Sequence, residues 1–205
     1  MIGLLRPRDL QRLQGQEELG AGETVLDFWR WALGDVRMNT ARGYLVEYLV
    51  AKALGDQSAV RVEWGPYDVK ARDGTLVEIK TAGYLQSWTT KKLSEPRWTF
   101  KSVMTDRAWS EEHGSYLPVE PGARVHVWVF ALQTCQDPNT YDPLSVDQWE
   151  FRVMPHRKLL AAGQQSAGLS FFNRQAVSPV AYSEIARAES SRLKWCKCSS
   201  VCWLL

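Results

Sequence analysis

Long apolar runs are missing from this chain. No stretch approaches the roughly 18 uncharged apolar residues of a membrane span, and the opening MIGLLRPRDLQRL carries charges where a signal peptide needs its apolar segment. These absences predict a cytoplasmic protein with no membrane partner. An excess of charge is missing too. The 25 basic and 23 acidic residues leave a formal charge of +2, so any attraction to phosphate must come from local clustering. Histidine is scarce, with three in 205 residues and none after His156. Of the four cysteines, Cys135 stands alone, while Cys196, Cys198 and Cys202 form one C-x-C-x3-C cluster near the end. A structural zinc site draws paired ligands from two knuckles. One cluster without histidine predicts reduced thiols on a peripheral tail, residues 194–205. Repeats and low-complexity tracts are absent as well, which points to a single domain over residues 1–193.

What is present suits a packed core. Hydrophobic residues make up 45% of the chain and ten of them are tryptophan, a ring that buries a large apolar area around one donor. The periodicity predicts a helix over 23–33, ended by Gly34 in the left-handed cap position, and a second over 40–54, with Asn39 or Thr40 as N-cap and Gly55 as stop. Extended segments follow at 60–63, 67–71 and 75–81, the last two joined by the turn Arg72-Asp73-Gly74. A helix is expected over 85–93, then a long excursion to about residue 121. Alternating β-branched residues predict strands at 124–132 and 149–154, separated by a loop. A helix at 155–162, a short strand at 169–172 and a helix at 179–193 complete the reading. The class is α/β, a mixed β-sheet flanked by helices.

Two groups of residues stand out for chemistry. The helix over 40–54 is apolar almost all round, which predicts burial on most sides. Glu47 sits inside it with Gly43, Tyr44, Val50 and Ala51 at the pairing positions, so no base on its own helix neutralises it. A metal ion or a basic residue from another element must do so, unless Glu47 turns to the surface. The second group is YDVKARDGTLVEIKTAG, residues 67–83. Glu78 and Lys80, two apart on a strand, share a face. A two-residue turn at Asp73-Gly74 would send Asp68 to the other face, whereas a three-residue loop with Gly74 left-handed pairs Asp68 with Glu78. Hydrophobic matching selects the second register, since it sets Tyr67, Val69 and Ala71 opposite Ile79, Val77 and Thr75. The β-carbons of Asp68 and Glu78 then stand about 4.5 to 5.5 Å apart, within reach of one divalent cation.

The acid-x-Lys triplet alone carries little weight. With 23 acids and nine lysines in 205 positions, chance gives about one per chain, and this chain has two, at 68–70 and 78–80. Context singles out the second: a helix with one lone acid, then a hairpin with Asp68, Glu78 and Lys80 on one face. That combination resembles the PD-(D/E)xK nuclease superfamily, the restriction-endonuclease-like fold. There a Glu-bearing helix leads into a three-stranded meander, with Asp opening the second strand and (D/E)-x-K on the third. The stretch EIKTAGYLQSW, residues 78–88, also looks like uncharacterised prokaryotic members. The resemblance covers residues 40–93 and, by topology, the strand at 124–132, so the core would run over about 40–132 in the order αβββαβ, with an extra C-terminal strand and helices. Tyr67, not proline, precedes Asp68, with Pro66 nearby. Gln86 is similar to the Gln of the Gln-x-x-x-Tyr element in the RecB-like branch, although Thr90 stands at the Tyr position.

The resemblance implies a metal-dependent endonuclease acting on DNA, in restriction, repair or mobile-element defence, with RNA left open as substrate. It implies Mg²⁺, or Mn²⁺ in its place, held by Asp68, Glu78 and the Ile79 carbonyl, with Glu47 holding a second ion or a water. Lys80 would orient the attacking water, and Gln86 would assist as a secondary candidate. Many nucleases of this shape act as pairs, which makes a homodimer an expectation. Lys91, Lys92, Arg97, Lys101 and Arg107, interleaved with Trp88, Trp98, Phe100 and Trp109, form a pattern that would track a phosphate backbone and stack on bases. The same aromatics would serve equally by docking on the core. Tyr84 and Trp88 read equally as packing residues. His126 is expected as a hydrogen-bonded core residue. Two competing readings remain at this level: a non-catalytic nucleic-acid-binding or assembly module on the same fold, and an unrelated α/β protein whose acids form surface salt bridges.

Overall fold

A computed structural model describes residues 13–56, 60–61, 65–88, 91–100, 107–110, 112–119 and 125–190. Helix α1 (Val25–Leu33) opens on a capping box, in which the Thr24 hydroxyl accepts from the Asp27 amide and the Asp27 carboxylate accepts from the Thr24 amide. Its end differs from expectation. Gly34 has φ −68 and is not left-handed; space is what it supplies, since a Cβ there would stand 2.4 Å from the Arg30 carbonyl oxygen. Helix α2 (Asn39–Leu54) does end on a left-handed glycine: Gly55, at φ 66, donates its N–H to the carbonyls of Ala51 and Lys52. Neither Asn39 nor Thr40 is the N-cap. Met38 holds that place without a side-chain bond, and the Asn39 side-chain oxygen instead accepts from Arg42 at 2.5 Å.

Helix α2 is buried on one stripe only, Arg42, Val46, Val50 and Leu54 at four-residue spacing beside Ala41. Tyr48 is 59% exposed. The apolar composition overstated the burial because the sheet covers one side of the helix.

The hairpin of β1 (Val69–Lys70) and β2 (Leu76–Gly83) pairs Val69 with Val77 and Lys70 with Leu76. Ala71 N–H donates to the Thr75 carbonyl at 2.8 Å, Gly74 N–H to Ala71 at 2.9 Å, and Gly74 has φ 90. This is the three-residue loop that hydrophobic matching selects. Of the expected strand at 60–63, residues 62 and 63 fall outside the described part, and 60 and 61 are not in a strand.

After β2 the expected helix over 85–93 does not form. Residues 87–88 are a turn and 91–92 a bend, with 89–90 outside the described part. The loop is tied differently, with Ser94 N–H donating to the Tyr84 carbonyl at 2.9 Å and the Gln86 amide to the Gly83 carbonyl at 2.9 Å. The excursion contains β3 (Arg97–Thr99) and an antiparallel hairpin of β4 (Arg107–Ser110) and β5 (Ser115–Pro118). Strand β6 (Val127–Gln133) then pairs parallel with β2, and β7 (Trp149–Pro155) antiparallel with β6, giving the sheet order β1-β2-β6-β7.

Helix α3 (His156–Ala161) follows as expected. Residues 169–172, expected as a strand, belong to helix α4 (Leu169–Arg174), while β8 (Ser166–Gly168) just before them pairs with β3. Phe171 and Phe172 explain the difference, because both enter one core cluster and successive residues of a strand would diverge to opposite faces. The C-terminal helix begins with a 3₁₀ turn at Tyr182–Glu184 and continues over 185–190. Residues 191–193, and the cysteines at 196, 198 and 202, lie outside the described residues.

All seven residues of β6 are buried, as a strand covered on both faces requires. On one face Val77, Ile79, Val127 and Val129 meet Val46, Val50 and Leu54 of α2. On the other, Trp128, Phe130 and Met154 meet Trp98, Phe100, Leu159 and Phe172. The chain is thus an α/β protein with a mixed sheet flanked by helices. Among the described residues no helix is long and apolar enough to cross a membrane.

Candidate functional site

Strand alternation places the charged pair. Val77 and Ile79 face α2, so Glu78 and Lys80 face the aromatic side, beside their β6 partners Trp128 and Phe130. Lys80 Nζ reaches Glu78 Oε1 at 2.6 Å and lies 5.9 Å from the Trp128 ring centroid. The Glu78 side chain is 6% exposed. One step beyond the paired residues, Asp68 stands opposite Glu78 in the continued register, and its Oδ2 accepts from the Ile79 N–H at 2.7 Å.

Glu47 approaches from α2 with a side chain only 15% exposed. Its partner does come from another segment. Arg61 donates through Nε to Oε2 and through a terminal nitrogen to Oε1 at 3.3 Å, and its guanidinium lies 4.7 Å over the Tyr44 ring. Burial pushes the Glu47 carboxyl above its ordinary value; Arg61 opposes this, the Asp68 charge adds to it, and Lys80 opposes it in turn. A carboxyl raised in the folded state stabilises the fold below its unfolded value, and that contribution is lost as pH rises through the folded value. Glu47→Gln is therefore expected to gain stability relative to wild type as pH climbs from about 4 through the raised folded value. Urea titrations at several pH values check this, and a pH-independent difference counts against the buried carboxylate.

Two ion pairs therefore flank the hairpin edge that carries Asp68: Glu47–Arg61 on the α2 side and Glu78–Lys80 on the aromatic side, three carboxylates against two cations. Among the described residues no three Asp, Glu, His or Cys side chains converge where they would jointly hold a metal ion, so the expected convergence of Asp68, Glu78 and Glu47 is not found. The donor chemistry nonetheless suits a hard cation. All three acids offer oxygen, they outnumber the adjacent bases by one, and Glu47 is buried enough to demand a positive partner.

Gln86 joins a different cluster. It is buried, accepts from Arg42 at 2.8 Å and donates to the Gly83 carbonyl, beyond the C-terminal end of β2. Arg42 is 3% exposed with its Nε unpartnered, and burial lowers its affinity for the proton. Lys91, Lys92 and Arg97 are exposed, and Arg97 donates to Ser166 Oγ at 3.3 Å. Arg107 is exposed and donates to the Tyr116 carbonyl. Lys101 and the Trp109 side chain fall outside the described part.

The base-stacking pattern is corrected at two positions. Trp98 and Phe100 are core residues, with Trp98 Nε1 donating to the Ala131 carbonyl at 3.1 Å; Trp88, by contrast, is 60% exposed. His126 is hydrogen-bonded, accepting from the Leu76 N–H at 3.0 Å, but exposed rather than core. It precedes β6 and lies outside the covered strand. Sequence reasoning missed Arg61, which read as one residue of a strand; only the demand for a Glu47 partner pointed to a nearby base. Neither any protein-family model nor any curated protein matches the chain.

Proposed function

We propose that this protein is a Mg²⁺-dependent nuclease that hydrolyses phosphodiester bonds in DNA, built on a restriction-endonuclease-like core. The observation that carries the reading is the hairpin register, which sets Asp68 opposite Glu78, with Lys80 two residues on and ion-paired to Glu78 at 2.6 Å. The order of a Glu-bearing helix, an antiparallel hairpin and a strand parallel to its second arm supports the same core.

Asp68 and Glu78 would hold the metal, with the Ile79 carbonyl as a further oxygen, and Glu47 would hold a second ion or a water. When bound, the ion supplies positive charge against the extra negative charge of the transition state and acidifies water. Lys80, ion-paired to Glu78 at rest, would orient the attacking water and offer its ammonium to the phosphate. The Ile79 N–H fixes the Asp68 carboxylate, and Trp128 under the Lys80 stem limits where the ammonium can go. Lys91, Lys92 and Arg97, all exposed, extend phosphate contact beyond the scissile group.

The test is incubation of the full chain with plasmid, linear duplex, single-stranded DNA and RNA in Mg²⁺, Mn²⁺ or EDTA. Cleavage of DNA with either metal and none in EDTA is expected. The acids' internal pairing is what a non-catalytic binding module would also display, and retention of DNA in every condition without cleavage identifies that module instead.

A further inference from the structure

We propose that Arg61 is a displaceable counter-ion: it holds Glu47 in the metal-free protein and passes to a substrate phosphate when a divalent cation takes the carboxylate. The inference rests on the nuclease reading and adds a residue that no family pattern assigns.

The geometry carries it in three steps. Arg61 engages both Glu47 oxygens, one through Nε and one through a terminal nitrogen, the fork that guanidinium makes with a carboxylate or a phosphate alike. Glu47, 15% exposed, cannot stand uncompensated, but its requirement is for positive charge and a divalent ion meets it as well. The two cations compete, because Arg61 already engages both Glu47 oxygens and a divalent ion on that carboxylate would face the guanidinium at short range. Arg61 has somewhere to go. Its side chain is 34% exposed and rests on the Tyr44 ring, itself at the surface, so a small swing along that ring brings the fork to solvent and to a phosphate. Lys80 makes the corresponding exchange at Glu78. The resting site is therefore largely self-neutralised, and loading with metal converts two internal counter-ions into two phosphate ligands.

The prediction has opposite signs for the two ligands. By calorimetry, Arg61→Gln is expected to bind Ca²⁺ roughly three- to tenfold tighter than wild type, since a competing cation is gone. By fluorescence anisotropy in Ca²⁺, it is expected to bind a labelled DNA duplex about tenfold more weakly, since a phosphate fork is gone. Arg61→Lys should fall between the two in both assays. Thermal melting supplies a readout independent of DNA: Arg61→Gln should melt below wild type in EDTA, with Glu47 left unpaired, and recover in Ca²⁺. Ca²⁺ affinity in Arg61→Gln that is unchanged or weaker overturns the proposal, as does unchanged DNA affinity. A wild type that binds Ca²⁺ and cleaves, with Arg61→Gln indistinguishable from it, sinks this proposal alone. A wild type that binds no divalent ion sinks it together with the nuclease reading.

Discussion

Lys80→Ala is expected to lower Mg²⁺-dependent cleavage by about a hundredfold or more, the size of effect seen when one preorganised donor to a developing charge is removed. The expectation comes from position. Lys80 is ion-paired to Glu78 at 2.6 Å, and it shares a strand face with that acid across from Asp68. Binding should fall far less than cleavage, since one phosphate contact is lost while those along the exposed Lys91, Lys92 and Arg97 remain. Stability should fall in EDTA, because Glu78 is almost buried and loses its ion pair with Lys80. Cleavage rates are therefore best measured well below the melting temperature, beside DNA retention in Ca²⁺. Equal rates for variant and wild type would remove Lys80 from the chemistry.

The largest effect on stability is expected from Phe130→Ala, at about 3 to 5 kcal/mol. Phe130 is fully buried at the centre of β6. Its ring centroid lies 4.9 Å from that of Phe172, 5.8 Å from Trp128, 6.0 Å from Phe100 and 6.2 Å from Trp98. Four rings anchored on β3, the residue after it, β6 and α4 cannot all collapse into one hole, so most of the cavity persists and its cost is felt in full. Urea unfolding measures the loss, with Trp31→Ala as control: Trp31 is 86% exposed, and its removal should shift stability by no more than about 0.5 kcal/mol. A loss at Phe130 no larger than in that control would mean the aromatic layer is not packed as described.

The sequence made the hairpin legible because a period of two leaves a binary choice, and one register buries Val69, Ala71, Val77 and Ile79 together. Strand β6 and helix α2 were legible from composition and the Gly55 stop. Burial around α2 was not, since an apolar sequence does not tell how many neighbours a helix has. The run of residues 85–93 has helical composition, yet the carbonyls of Gly83 and Tyr84 just before it accept from the Gln86 amide and the Ser94 N–H, which ties the segment as a loop. The aromatics at 98 and 100 looked like a stacking surface because they alternate with bases; alternation equally describes a strand with one side in the core. Arg61 was illegible in principle, as its bond to Glu47 spans fourteen residues and no local pattern encodes it. The Glu47 environment, by contrast, was half visible: the helix showed that a partner had to come from outside.

Because β2 is bonded on both sides, to β1 in one sense and to β6 in the other, a slip of one residue cannot stay local. It would turn the Glu78 and Lys80 side chains into the aliphatic layer beneath α2 and expel Val77 and Ile79, at a cost no small domain can carry. Chains that reach the compact state have therefore already passed an inspection of their charged face. In a purified sample, the fraction that melts cooperatively and the fraction with the acids and amine correctly set are the same molecules.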